Sequence, residues 1–134
     1  DFFETLPNVQ IKSDHRGCLI INAPDVAEET VITNDLIEII TPTKFKWLGR
    51  HDNIINTGGV KVIPENVESL LGRHLDHKFF ISSQPDEVLG ERIILIIEGT
   101  GFSKEEREEL AKWVKILSSK KNIPGNSFVC FFIL

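Results

Sequence analysis

Arg50 and Asp52 stand two residues apart in the stretch W-L-G-R-H-D-N, just ahead of Gly58 and Gly59. An arginine offers a planar fork of donors that suits phosphate or ribose oxygens, and in a turn it also serves as half of a surface ion pair. Asp52 can face a ligand or close a strand with an Asx-type turn. The two glycines fit a tight hairpin, where positive φ is required, or the close approach of a ligand. His74 and His77 flank Asp76 and invite a metal reading, but no third clustered ligand accompanies them, so no metal is expected. Glu105–Glu109 fits a solvated helix start favoured by the helix dipole. Neither the G-x-x-x-x-G-K-[ST] nor the G-x-G-x-x-G phosphate loop occurs, and no Ser-His-Asp or Cys-His set can be assembled from local spacing.

The elements that must position these residues change character near Arg50. Before it, N-V-Q-I-K and C-L-I-I-N flank the turn S-D-H-R-G, and L-I-E-I-I and F-K-W-L flank T-P-T-K. Both pairs carry the hairpin signature. This part has too little apolar mass for an independent core and is expected to be the β-rich tail of a larger unit. After it, N-I-I-N and V-K-V-I straddle Thr57-Gly58-Gly59. Pro64 suits the first turn of a helix whose buried stripe is Val67, Leu70 and Leu71. K-F-F-I-S and E-R-I-I-L-I-I-E-G are strands, the second apolar on both faces and therefore central. Ser103 and Glu106 form a capping box for a helix with the core stripe Leu110, Trp113, Val114 and Leu117. Asn122–Gly125 ends it, and F-V-C-F-F-I-L is a last strand. The expected class is α+β: a small domain over 51–134, with a β-hairpin and then a mixed sheet flanked by helices, preceded by a β-strand segment over 1–50.

The 134 residues carry 15 basic and 20 acidic side chains, a net charge of −5 with the basic residues scattered. That excludes the basic stripe of a general nucleic-acid binder. No apolar run approaches the length of a membrane span of about 18 or more residues, and Phe131–Leu134 is far shorter. Cys18 and Cys130 lack a partnered motif and read as reduced thiols in a cytoplasmic protein. The chain begins at Asp1, contains no methionine and stops within an apolar run, so a trimmed piece of a longer protein is expected.

From Thr33 onward the residues are more specific. T-N-D-L, a strand and turn, G-R-H-D-N-I-I-N-T-G-G, P-E-N-V-E and, later, P-D-E-V-L-G-E leading into an apolar strand occur in that order. This succession resembles the adenylate-forming (AMP-binding) ligases, which include acyl-CoA synthetases, and within them it looks most like the O-succinylbenzoate–CoA ligases of menaquinone biosynthesis. The resemblance implies an acid–thiol ligase: a carboxylate attacks ATP, with Mg2+ in the substrate complex, to give acyl-adenylate and pyrophosphate, and coenzyme A then displaces AMP. Carried over by position, Asp35 would accept hydrogen bonds from the ATP ribose and Arg50 would hold the nucleotide. Asp52 would be the hinge of a rotating C-terminal lid, and Gly58 and Gly59 would border the path of coenzyme A.

Two departures are visible. Asn34 replaces the usual glycine of T-G-D, and Asn56 stands where some relatives carry a lysine. The family's phosphate loop and the segment with its adenylation lysine have no counterpart in this sequence. The expected partners are therefore a missing N-terminal domain and small ligands, with no nucleic acid and no membrane, and the chain alone is expected to be inactive. Another acyl- or aryl-CoA synthetase, and a non-catalytic carrier-binding module using the lid fold, are the alternatives.

Overall fold

The computed structural model describes residues 1–133, with side chains described through Val129. The chain divides into two compact units, residues 1–53 and 54–134.

The first unit is one antiparallel sheet in the order β1-β5-β4-β3-β2, with β1 Phe3–Glu4, β2 Gln10–Ser13, β3 Cys18–Asn22, β4 Val31–Thr41 and β5 Lys44–Arg50. Both expected hairpins form, β2 with β3 and β4 with β5. The two-residue β1, unexpected from the sequence, adds to the free edge of β5 through Phe3–Phe45 stacking at 5.5 Å. Only Cys18, Leu19, Leu36 and Ile37 form buried apolar positions in this unit, whereas Phe2, Phe3, Val31, Ile32, Ile39 and Trp47 are exposed. A sheet with so few buried contacts has little packing of its own to stabilise it. The unit ends in a single 3-10 turn, His51–Asn53.

The second unit begins with the hairpin β6 Ile55–Thr57 and β7 Val60–Val62, followed by α1 Pro64–Leu71, β8 Phe79–Asp86, β9 Gly90–Glu98, α2 Lys104–Lys121 and β10 Phe128–Ile133. Strand β9 is the centre, as its two apolar faces demand: Ile93, Leu95 and Ile97 are fully buried. Antiparallel β8 runs along one edge of it. Parallel β10 takes residues 93–98 on the other edge, where β6 joins at Gly90. The sheet is therefore mixed, as expected. Strand β8 runs past K-F-F-I-S to include Pro85 and Asp86; among the described residues it pairs only with β9, and an edge strand tolerates a proline that cannot donate.

Helix α1 starts on Pro64 and buries Val67 and Leu71, and Glu68 accepts the Ile81 N–H at 2.8 Å, tying the helix to β8. Helix α2 has the reciprocal capping box: Ser103 Oγ accepts from the Glu106 N–H at 3.2 Å and Glu106 Oε2 from the Ser103 N–H at 2.8 Å. Leu110 and Leu117 are buried and Trp113 and Val114 pack beside them, while Asn122 closes the helix in the left-handed conformation. Among the described residues, no helix is long and apolar enough to cross a membrane.

The two hairpin glycines differ. Both have positive φ, +57° at Gly58 and +80° at Gly59, but a Cβ on Gly58 would lie 2.6 Å from Pro124 Cγ, whereas one on Gly59 would meet nothing within 4 Å. Buried Thr57 donates to Ser127 Oγ at 3.0 Å, and the Gly58 N–H donates to Leu89 O at 2.8 Å, so the base of the hairpin is fastened. Gly59→Ala is expected to cost ~1–2 kcal/mol from left-handed strain alone. Gly58→Ala adds the clash with Pro124 and is expected to cost ~2–5 kcal/mol. Urea unfolding of the two variants checks the difference; equal losses would contradict it.

Candidate functional site

Asp35 and Arg50 are fifteen residues apart in sequence and directly paired across β4 and β5. Arg50 Nη1 donates to Asp35 Oδ1 at 3.3 Å, and its Nη2 lies 3.6 Å from Asp52 Oδ2. The Trp47 indole N–H reaches the same Asp35 Oδ1 at 3.3 Å. In a regular strand, residues three apart point to opposite faces. Here the register shifts between Leu36↔Gly49 and Ile37↔Trp47, leaving Leu48 as an extra residue on β5. This bulge resets the alternation and brings Trp47 and Arg50 to the face that carries Asp35.

A second group buttresses the first. Asp14 Oδ1 accepts the N–H groups of Arg16 and Cys18 at 2.8 and 2.9 Å, and its Oδ2 accepts from Arg16 Nε at 2.8 Å. Arg16 then donates to Asn34 Oδ1 at 2.9 Å and to Thr33 O at 3.1 Å, and Asn34 Nδ2 donates to Asp52 Oδ2 at 3.1 Å. Asp14, Arg16, Asn34, Asp52, Arg50, Asp35 and Trp47 thus form one polar chain within the first unit. Burial works to raise the Asp14 pKa, but the donors from Cys18 and Arg16 outweigh it and hold the carboxyl at about 2, below its ordinary 3.8. Asp14 pushes the Arg16 guanidinium upward in turn.

Of the residues singled out from sequence, Asp35, Arg50 and Asp52 come together here. Gly58 and Gly59 lie in the second unit, at the tip of the β6–β7 hairpin. Sequence reading passed over Asp14, Arg16 and Trp47. The aspartate two residues before an arginine in S-D-H-R-G was the available signal, since Asp14 makes the Asx-type turn through the Arg16 N–H. Asn56 donates its backbone N–H to Glu91 Oε2 at 2.7 Å.

The histidines serve packing. His74 stacks on Trp113 with ring centroids 3.5 Å apart, and His77 meets the edge of Phe102 and lies 3.8 Å from Glu106. Among the described residues no group of three or more metal-ligating side chains occurs. Cys18 is free and fully buried, and desolvation raises its thiol pKa, which keeps it unreactive. The Cys130 side chain lies outside the described residues.

Comparison with solved structures supplies the context for this geometry. A mutant form of Coronafacic Acid Ligase from Pectobacterium brasiliense is 25% identical over 97% of this chain and 29% of its own, with a TM-score of 0.74. E. coli MenE with a bound analogue of OSB-AMS is 22% identical over 98% of this chain and 31% of its own, also at 0.74. ATP-bound MatB from Rhodopseudomonas palustris is 17% identical over 97% of this chain and 31% of its own, at 0.72. The fold is that of the C-terminal part of adenylate-forming enzymes. The chain spans under a third of the length of each of these three proteins. Comparison with protein-family models gives no match, and neither does comparison with curated proteins.

The depressed Asp14 pKa has a consequence for acid stability. Because the folded pKa lies below the ordinary value, its stabilising contribution is complete above about pH 5 and is lost as pH falls through about 2. Asp14→Asn is expected to weaken the first unit at neutral pH and flatten its acid unfolding between pH 4 and 2. Trp47 fluorescence in a Trp113→Phe background follows this, and an unaltered acid limb would contradict the assignment.

Proposed function

We propose that this chain is the hinge-and-lid part of an adenylate-forming acid–CoA ligase. The observation that carries the reading is the Asp35–Arg50 pair, set on one sheet face by the β5 bulge and followed at once by Asp52 in a 3-10 turn, in a chain with the fold of the C-terminal part of adenylate-forming enzymes. In the reading, a carboxylate attacks the α-phosphorus of ATP and releases pyrophosphate, and the thiol of coenzyme A then attacks the acyl carbon and releases AMP.

The roles follow from the chemistry of each group. A carboxylate accepts two hydrogen bonds side by side, which suits the vicinal hydroxyls of a ribose, so Asp35 is assigned to the sugar. Arg50 supplies a planar fork of directed donors to the nucleotide oxygens. Asp52 lies in the last turn of the first unit, where a change of backbone dihedrals would reorient whatever follows, and it is assigned as the pivot. Gly59 leaves open space beside the hairpin where a Cβ would stand, which suits the approach of the pantetheine arm, while Gly58 is required by packing on Pro124. The phosphate loop and the adenylation lysine are assigned to other parts of the intact enzyme.

The narrower proposal is that the acid is O-succinylbenzoate. It is supported by the form of the T-N-D-L and G-R-H-D-N-I-I-N-T-G-G motifs and is compatible with the neighbour that holds an analogue of OSB-AMS. A panel of O-succinylbenzoate, fatty and aryl acids on the intact protein tests it, and preference for a fatty acid would overturn this narrower claim.

Arg50→Ala is expected to lower ATP–pyrophosphate exchange by about 10-fold or more, the scale of a lost charge-assisted hydrogen bond. Unchanged exchange would remove Arg50 from the nucleotide site. Asp52→Pro fixes φ at the pivot and is expected to impair thioester formation more than adenylation. Equal loss of both half-reactions would contradict the pivot assignment. The 134-residue chain alone should bind ATP weakly at most by calorimetry.

A further inference from the structure

Asn34 occupies a position for which its chemistry is specific. Its amide lies between Arg16, whose Nη1 donates to Asn34 Oδ1 at 2.9 Å, and Asp52, whose Oδ2 accepts from Asn34 Nδ2 at 3.1 Å. A guanidinium only donates and an ionised carboxylate only accepts, so a neutral side chain joining them must both accept and donate. A carboxamide does this, and the two neighbours fix its orientation: oxygen toward Arg16, nitrogen toward Asp52. Aspartate here would set a second carboxylate against Asp52, and glycine would leave nothing between the two groups.

The Arg16 end of the link is anchored. Its guanidinium is held by Asp14 at 2.8 Å and by the Thr33 carbonyl at 3.1 Å, and Asp14 is itself fastened to the backbone of Arg16 and Cys18. The Asp52 end belongs to the single turn His51–Asn53, and Arg50 Nη2 also lies 3.6 Å from its carboxylate.

We infer that Asn34 is a positioning residue, a carboxamide latch that carries the fixed position of Arg16 to Asp52 and holds the 51–53 turn in the conformation seen here. The inference rests on the reading of Asp52 as the pivot for its catalytic consequence, but the latch itself is a property of the first unit. For the turn to change its backbone angles, the Asp52 carboxylate must leave Asn34. The latch therefore favours whichever half-reaction uses this turn conformation and slows passage to the other.

Two measurements test it separately. The first is a double-mutant cycle of Asn34→Leu and Asp52→Ala on urea unfolding of the 134-residue chain, followed by Trp47 fluorescence in a Trp113→Phe background. The expected coupling is about 3- to 10-fold in the unfolding constant, the scale of one net hydrogen bond. Independent, additive effects would overturn the latch whatever the enzyme does. Should Asn34→Leu fail to fold, Asn34→Asp keeps the acceptor for Arg16 and exchanges the donor to Asp52 for a second carboxylate facing it. Its destabilisation should then vanish when Asp52 is alanine, and persistence of the full loss would overturn the proposal.

The second measurement is the ratio of thioester formation to ATP–pyrophosphate exchange in the intact protein. Asn34→Leu is expected to shift this ratio about 3-fold or more, and to shift it no further in the Asp52→Ala background. A parallel change in both half-reactions would reduce Asn34 to a structural role and overturn the positioning claim. Coupling in the cycle with no adenylation of any acid would sustain the latch and overturn the ligase reading instead.

Discussion

The register between β4 and β5 is the constraint on which the candidate site depends. It places Asp35 against Arg50, and the extra residue at Leu48 turns Trp47 and Arg50 toward the same carboxylate. A slip of one residue would carry these side chains to the opposite face and dissolve the cluster. The register is held by few buried apolar groups, since Leu36 and Ile37 are the only two on β4. Polar links therefore have a larger share in fixing this unit than in an ordinary sheet, and the Asp14–Arg16–Asn34–Asp52 chain is the main set of them.

The second unit is held in a different way. Its central strand β9 buries Ile93, Leu95 and Ile97, with α1 and α2 contributing Val67, Leu71, Leu110 and Leu117 to the same core. The β6–β7 hairpin is fastened at its base by the Thr57–Ser127 bond while the Gly59 side of its tip stays open. A rigid core with an open hairpin tip suits a part that moves as a body and presents one edge to a ligand. The first unit, by contrast, ends in the turn that carries Asp52. This division of labour is what the proposed reaction asks of a lid and its joint.

Most of the architecture was legible in the sequence because it rests on local signals. The T-G-G turn, Pro64, the Ser103–Glu106 box and the doubly apolar β9 each determine one element with little help from distant residues. The parts that were not legible depend on long-range geometry. Strand β1 is two residues long and exists because Phe3 finds Phe45. Arg50 stood out by its own chemistry and Asp35 only through resemblance to a family, while their pairing was not legible, since nothing in their spacing predicts the bulge at Leu48. Arg16 and Trp47 were missed for a similar reason: their partners lie 18 and 12 residues away on other strands. Asn34 was visible as a departure from T-G-D, but its meaning required both neighbours to be in place.

The most direct test of the account is a crystal structure of the intact protein with a non-hydrolysable acyl-adenylate. Both ribose hydroxyls are expected within hydrogen-bond distance of the Asp35 carboxylate, with Arg50 turned toward the nucleotide. Ribose held by other residues, with Asp35 still engaged only by Arg50 and Trp47, would contradict it.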